Sequence, residues 1–287
     1  MEDDILKIIE NVAKIPSFSS YEERLHPFIY KFIEENQIKC TIYQHFNNLI
    51  IEINENIHPT IAFTAHLDKI DHFLKDVDEL DFTINQRKIK GQLDDSVGVG
   101  ICLYLLLNSE KFKLPHTLFL FSEMEESYGL FRHPEMLKDN GKNLESQIGA
   151  KRISEFLMNK SLIPSIFITI DTTPLFRGNK GVALYSKFWE RTYISPTDEL
   201  INKTNSIENL MQKIFPNILF ANNVNDYLIY GSYFAYNNHH IPSIALEPSI
   251  YPYHTIGEEV YIDDIIDILY IIQKFISYYL NSPQILK

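Results

Sequence analysis

The chain has 287 residues, 45% of them hydrophobic, enough to build a sizeable core and too apolar for wholesale disorder. Against 38 Asp plus Glu stand 26 Lys plus Arg, a net charge of −12 that lacks the basic footprint nucleic-acid binding needs. No run approaches the roughly 18 consecutive apolar residues of a membrane span. Met1-Glu-Asp-Asp4 offers no basic start for a signal peptide, and Cys40 and Cys102 both lie in apolar stretches, which fits a reducing compartment. The expected location is cytoplasmic.

Ile5, Ile8, Ile9 and Val12 repeat at helical spacing. Ser20-Tyr-Glu-Glu23 reads as a capping box opening a second helix, with Leu25, Phe28, Ile29, Phe32 and Ile33 on one face. The period then changes: 39–45, 48–54 and 60–65 are rich in strand formers, and 81–84 with 88–90 predicts a short hairpin. Residues 96–107 read as a buried helix, 114–122 as a strand, 142–160 as a helix and 163–171 as a strand. Helices are expected over 207–215 and 226–237, a strand over 242–247, and a last helix over 263–279 with a broad apolar face. From residue 60 onward strand and helix alternate, which predicts an α/β fold whose mostly parallel sheet is covered on both faces. No linker, repeat or low-complexity block interrupts it, so 1–287 is read as one domain. Residues 131–147, charged and irregular, are a candidate lid.

Three of the apolar runs end in side chains that bind metals. Ile61 to Ala65 leads to His66-Leu-Asp68, Leu118 to Ser122 leads to Glu125-Glu126, and Ile166 to Ile170 leads to Asp171. Ligands of open α/β sheets bind beyond the carboxyl ends of the strands, so these residues point to one site. Asp94, in Leu93-Asp-Asp-Ser-Val-Gly98, and His254, in Tyr253-His-Thr255, are further candidates. His nitrogen and carboxylate oxygen suit zinc, and a carboxylate beside the metals can take a proton from water and pass it to a leaving amine. Adjacent Glu125 and Glu126 could divide these two tasks, and Asp68 could orient the His66 imidazole.

Together these segments resemble the co-catalytic dizinc exopeptidases, the clan of leucyl-type and tetrahedral aminopeptidases and glutamate-type carboxypeptidases. The resemblance rests on Ala65-His-Leu-Asp68, Leu93 to Gly98, Glu125-Glu-Ser-Tyr-Gly129, Ile170-Asp-Thr172 and Tyr253-His-Thr255, five motifs in order across the chain. Ile15-Pro-Ser17, Asn47-Asn-Leu-Ile50, Val224-Asn-Asp226 and Ile241-Pro-Ser-Ile244 extend it. It implies a three-layer, phosphorylase/hydrolase-like sandwich holding two Zn²⁺, with Co²⁺ or Mn²⁺ as substitutes. Asp94 would bridge the ions, with a cis peptide to Asp95; His66 and Asp171 would complete one ion position, Glu126 and His254 the other. Glu125 would be the general base for a metal-bridging water, and Asp68 would support His66. His66 and Asp94 are 28 residues apart, which leaves no room for the domain that tetrahedral aminopeptidases insert there, and 83 residues from Asp171 to His254 leave none for the dimerisation domain of the carboxypeptidase type.

Each residue also has a plainer reading. His66 could be a hydrogen-bonded structural histidine, Glu125-Glu126 a solvated turn, Asp94-Asp95 a helix N-cap, Asp171 a turn cap with Thr172 and Thr173, and His254 a packing partner of Tyr251 and Tyr253. His239-His240 diverge as neighbours on any regular element, and His133 reads as surface. Gly98-Val-Gly100 lacks the rest of a dinucleotide loop. The expectation is a cytoplasmic dizinc aminopeptidase acting on short peptides. Its rivals are an N-acyl amino-acid or amide deacylase on the same site, and a catalytically silent binding protein that keeps the fold.

Overall fold

The computed structural model describes residues 2–70, 77–126 and 128–281. Ser127, inside the Glu125–Gly129 segment, lies outside the described residues. The chain opens with α1 (Glu2–Ala13), a short 3-10 turn and α2 (His26–Glu35). Strands β1 (Thr41–His45), β2 (Asn48–Ile53) and β3 (Thr60–His66) follow, then β4 (Thr83–Asn85) and β5 (Lys88–Gly91). Next come α3 (Ser96–Leu107), α4 (Ser109–Phe112), β6 (His116–Ser122), α5 (Tyr128–Arg132), α6 (Ile148–Lys160) and β7 (Ile166–Ile170). The remainder is β8 (Val182–Tyr185), α7 (Asp198–Ile214), β9 (Leu219–Ala221), α8 (Asp226–Tyr236), β10 (Ser243–Pro248), β11 (Glu258–Tyr261) and α9 (Ile262–Asn281).

Eight strands form one sheet in the order β1-β2-β6-β3-β7-β10-β8-β9. Its centre is parallel: β3 pairs with β6 and β7, and β7 with β10. Antiparallel pairs flank that centre at β1–β2, β2–β6 and β10–β8. Central strands are buried on both faces, which is why β3, β6 and β7 read as continuous apolar runs. One face, with Ile61, Phe63, Ile168 and Leu246, packs against α1, α3 and α9. The opposite face, with Ala62, Leu120 and Phe167, packs against α6 and α8. This is a mixed, mostly parallel α/β sandwich, as the alternation of elements predicts.

The differences from the sequence reading have local causes. Ser20 to Glu23 form no capping box: Leu25 caps α2 without a side-chain bond, and the Ser20 N–H donates instead to Glu22 Oε1 at 2.7 Å. The helix expected over 142–160 starts only at Ile148, because residues before it run through left-handed turns, Gln147 among them. The 81–90 hairpin gains a third strand, β11, in a small separate sheet. Strands β8, β9 and β11 escaped the reading: each is three or four residues long and, unlike β4 and β5, has no hairpin partner beside it in sequence.

Helix α3 is apolar on every side because it is wedged between the sheet and α1. Its first turn comes so close to β7 that a Cβ on Gly98 would overlap the Ile170 carbonyl oxygen and the Asp95 carboxylate. Gly98→Ala should therefore lower stability by roughly 1–3 kcal/mol, measured by urea denaturation; an unchanged midpoint would contradict this packing.

Candidate metal centre

Strands β6, β3, β7 and β10 end side by side, and their side chains alternate between the faces. His66, Asp171 and Glu247 share the face of Ala62, Phe167 and Ala245. A Thr64–Thr169 hydrogen bond of 2.8 Å lies one pair below His66 and Asp171, so polarity on this face begins before the strand ends. Asp94 comes from the loop entering α3, and His254 from the loop entering β11.

The structure brings together all the residues singled out in the sequence. His66 Nε2 lies 3.2 Å from Asp94 Oδ1 and 3.7 Å from Asp171 Oδ1. His254 Nε2 lies 3.4 Å from Asp94 Oδ2 and 3.3 Å from Glu126 Oε1. Asp94 thus faces one histidine with each carboxylate oxygen. Three groups of donor atoms fall within 4.8 Å of one another: His66, Asp94 and Asp171; Asp94, Glu126 and His254; and His66, Glu125 and Glu126. The Asp94–Asp95 peptide is cis.

The plainer roles are present alongside these contacts. Asp95, not Asp94, caps α3, accepting the Gly98 N–H at 2.7 Å. Asp171 accepts the Thr172 N–H at 2.7 Å, and His254 stacks on Tyr253 with ring centres 3.6 Å apart. His133 makes an ion pair with Glu135, and neither it nor His239-His240 reaches the site.

Asp68 lies beyond the end of β3 rather than on it. His66 Nδ1 is 2.9 Å from the Asp68 carbonyl oxygen and 3.3 Å from its carboxylate. The Asp68 carboxylate also accepts the N–H groups of Glu125 and Glu126, each at 3.0 Å, and the Ser19 hydroxyl at 2.7 Å. One buried acid therefore sets both the histidine ring and the Glu125–Glu126 turn. With Nδ1–H donated to Asp68, Nε2 faces Asp94 Oδ1 across 3.2 Å. Without a metal that contact needs a proton on Nε2, and a cation between the two atoms would take the proton's place.

Charge makes the same point. Burial, then Asp94, pushes the Glu126 carboxyl up to about 7, and burial pushes Glu125 well above the carboxylate range. Asp171 is raised by burial as well. Burial works against protonation of His254, but Asp94 and Glu126 lift it to about 11; His66 is also lifted, by Asp171, Asp68 and Asp94. Asp94 goes the other way: burial is outweighed by its two histidines, which hold its carboxyl below the usual range. Buried carboxylates that repel one another, held together by protons on two imidazoles, match the needs of a divalent metal ion.

Beside the donors lies a cavity of about 150 Å³ whose wall includes Glu125, Gln147, Tyr185, Val224, Glu247 and Tyr253. Its described lining contains five carboxylates and His254 but no Lys or Arg. Ser146 and Gln147 close one side, at the end of the 131–147 segment, and Gln147 Nε2 donates to Glu125 Oε1 at 3.4 Å.

No family model matches the sequence, and no curated protein matches it either. Solved structures do. A TET aminopeptidase from a marine-sediment Thaumarchaeota archaeon matches at a TM-score of 0.68 with 11% identity, over 96% of both chains. The Pyrococcus horikoshii TET1 peptidase, described as assembling into a tetrahedron or a large octahedral shell, matches at 0.63 with 14% identity, over 94% of this chain and 98% of that one. A Staphylococcus aureus tripeptidase matches at 0.62 with 15% identity, over 96% of this chain and 98% of that one. The chain has their fold. At such identities the likeness is one of fold alone, and the fold is that of the clan the motifs resemble.

Sequence reading missed Glu22, Glu247 and Glu258, all buried beside the site. Glu247 left a trace, since it ends the apolar run 242–247 read as a strand, and Glu258 shares a strand face with buried Val260. No helix among the described residues is long and apolar enough to cross a membrane.

These acids fix how the metal-free protein responds to pH. Burial pushes Glu22 and Glu258 to about 8 and Glu126 and Asp226 to about 7. Unfolded, such groups release their protons near pH 4 to 5, so between there and pH 8 the folded chain holds more protons. Stability must then fall as pH rises through that window. His66 and His254, also raised, act in the same direction from about pH 6.5 upward. Lys69, lowered to about 7 by burial, opposes them above pH 7 as a single group. Chelator-treated protein should melt at a higher temperature at pH 5.5 than at pH 8, and added Zn²⁺ should raise the pH 8 value most. A flat profile would contradict the crowding.

Proposed function

We propose that the protein is a metal-dependent aminopeptidase that removes the N-terminal residue from short peptides. The observation that carries this reading is Asp94, with one carboxylate oxygen toward each of two histidine-containing donor groups. His66, Asp94 and Asp171 would hold one zinc ion, and Asp94, Glu126 and His254 the other. Bound there, two zinc ions supply Lewis acidity toward the scissile carbonyl and make water a better nucleophile at neutral pH.

Glu125 is the general base in this reading rather than a ligand. It lies on the cavity wall, and its described side-chain partner is Gln147, whereas Glu126 faces His254. Its carboxylate would take the proton from the attacking water and deliver it to the leaving amine. Asp68 holds the turn that aims Glu125, so it positions the base and the His66 ring together.

The choice of peptide end follows from the cavity wall. A carboxypeptidase grips the substrate's terminal carboxylate with a cation, and the described lining has no Lys or Arg. With Asp94, Glu126 and Asp171 given to the ions and Glu125 to the base, Glu247 is the wall carboxyl left to receive a free α-ammonium. That match also favours an aminopeptidase over a deacylase, whose substrate nitrogen is acylated and neutral. We assign the whole chain to one catalytic domain and read the 131–147 segment as a lid, since it ends on the cavity wall at Ser146 and Gln147.

Glu125→Gln should lower turnover at least ~100-fold, the usual scale of general-base catalysis, while elemental analysis still finds two metals per chain. Activity within a few-fold of wild type would remove Glu125 from the mechanism. Asp94→Ala should lose both ions in the same assay. Among substrates, N-acetylation of a cleaved dipeptide should abolish hydrolysis; equal rates on blocked and free forms would favour the deacylase.

A further inference from the structure

Glu258 is fully buried, lies off the cavity wall and makes no ion pair among the described residues. A buried carboxylate in that position needs hydrogen bonds to be tolerated. It has three, all from main-chain N–H groups. Oε2 accepts from Leu93 at 2.8 Å and from Asp94 at 3.1 Å, and Oε1 accepts from His254 at 3.0 Å. One side chain thus fastens two loops, the farther of them holding Asp94, 164 positions from Glu258.

The two ion positions do not depend on it equally. His66 and Asp171 sit at the ends of β3 and β7, where strand pairing already fixes the backbone. His254 has no such support: its side chain is 33% exposed, and its backbone takes a φ of +55°, a left-handed conformation unfavourable for a residue with a Cβ. Its ring stacks on Tyr253 and faces Asp94 and Glu126, while its backbone N–H is held by Glu258.

Resting on the two-ion reading above, we infer that Glu258 is a positioning residue for one ion position, that of Asp94, Glu126 and His254, and governs its affinity without touching the metal. Groups that orient metal ligands typically change affinity 10- to 100-fold when lost. Glu258→Gln keeps the size and one carbonyl-type acceptor but puts an NH₂ group against backbone N–H donors.

The test is a Zn²⁺ titration of the metal-free full chain, with metal counted after gel filtration. Wild type should retain two ions per chain, and Glu258→Gln one, the other weakened at least ~10-fold. His254→Ala should lose the same ion, and the double variant should lose no more than His254→Ala alone. Two ions held by Glu258→Gln at wild-type affinity would overturn the inference, as would parallel loss of both. A wild type that binds no metal pair would instead sink the two-ion reading itself. Should Glu258→Gln fail to fold, hydrogen exchange in metal-free wild type decides: the Leu93, Asp94 and His254 amides should be protected, and a His254 amide exchanging at free-loop rates overturns the assignment.

Discussion

Beyond the carboxyl ends of the strands the chain leaves the sheet, and its N–H groups lose their ladder partners while staying buried. Such groups must be paired. Here carboxylates do much of the pairing: Asp68 serves Glu125 and Glu126, Glu258 serves Leu93, Asp94 and His254, Glu22 serves Ser20 and Met124, and Asp95 serves Gly98. These acids take no part in the donor groups, yet they determine where the donors stand. The result is a shell of buried carboxyl groups around an already acidic cluster. Basic relief within it is sparse: the Arg152–Glu123 pair at 2.7 Å and Lys69, whose Nζ donates to Ser17 Oγ. A cation bound among His66, Asp94, Asp171, Glu126 and His254 would therefore complete the electrostatics of the fold as well as a catalytic device.

The sequence carried the donors because they stand where apolar runs stop. His66 and Asp171 end strands buried on both faces, and a polar side chain at that boundary is conspicuous. Asp94, Glu126 and His254 were legible through motif order. The supporting carboxylates were not legible in the same way. Nothing in a glutamate's chemistry says whether it is solvated: Glu258 is buried and its neighbour Glu259 is not, though both lie on the same four-residue strand. Ser20 to Glu23 failed as a capping box for a related reason, since tertiary contacts claimed the side chains that local pairing would have used. Glu22 turned inward to Asn47 and Met124, and Ser20 took the Lys138 N–H.

Fold and site bear on function at different levels. The neighbours establish an architecture, and at 11 to 15% identity they say nothing of what chemistry this chain performs. Chemistry has to come from the residues: paired histidines about a shared carboxylate, a partly buried glutamate at the wall, and a cavity whose described lining is acidic and without fixed positive charge. That combination is what the proposed aminopeptidase reading rests on.

The donors are also widely spread along the chain, from residue 66 to residue 254. His66 must wait for the loop before α3, then for the turn after β6, the end of β7 and finally the loop into β11. Each joining closes a long stretch of chain, so the constellation belongs to the completed tertiary structure and to no fragment of it. Chains dominated by such distant contacts fold slowly. Any ion that needs the whole constellation will bind the native state in preference to partly folded forms, and its concentration will bias the folding equilibrium.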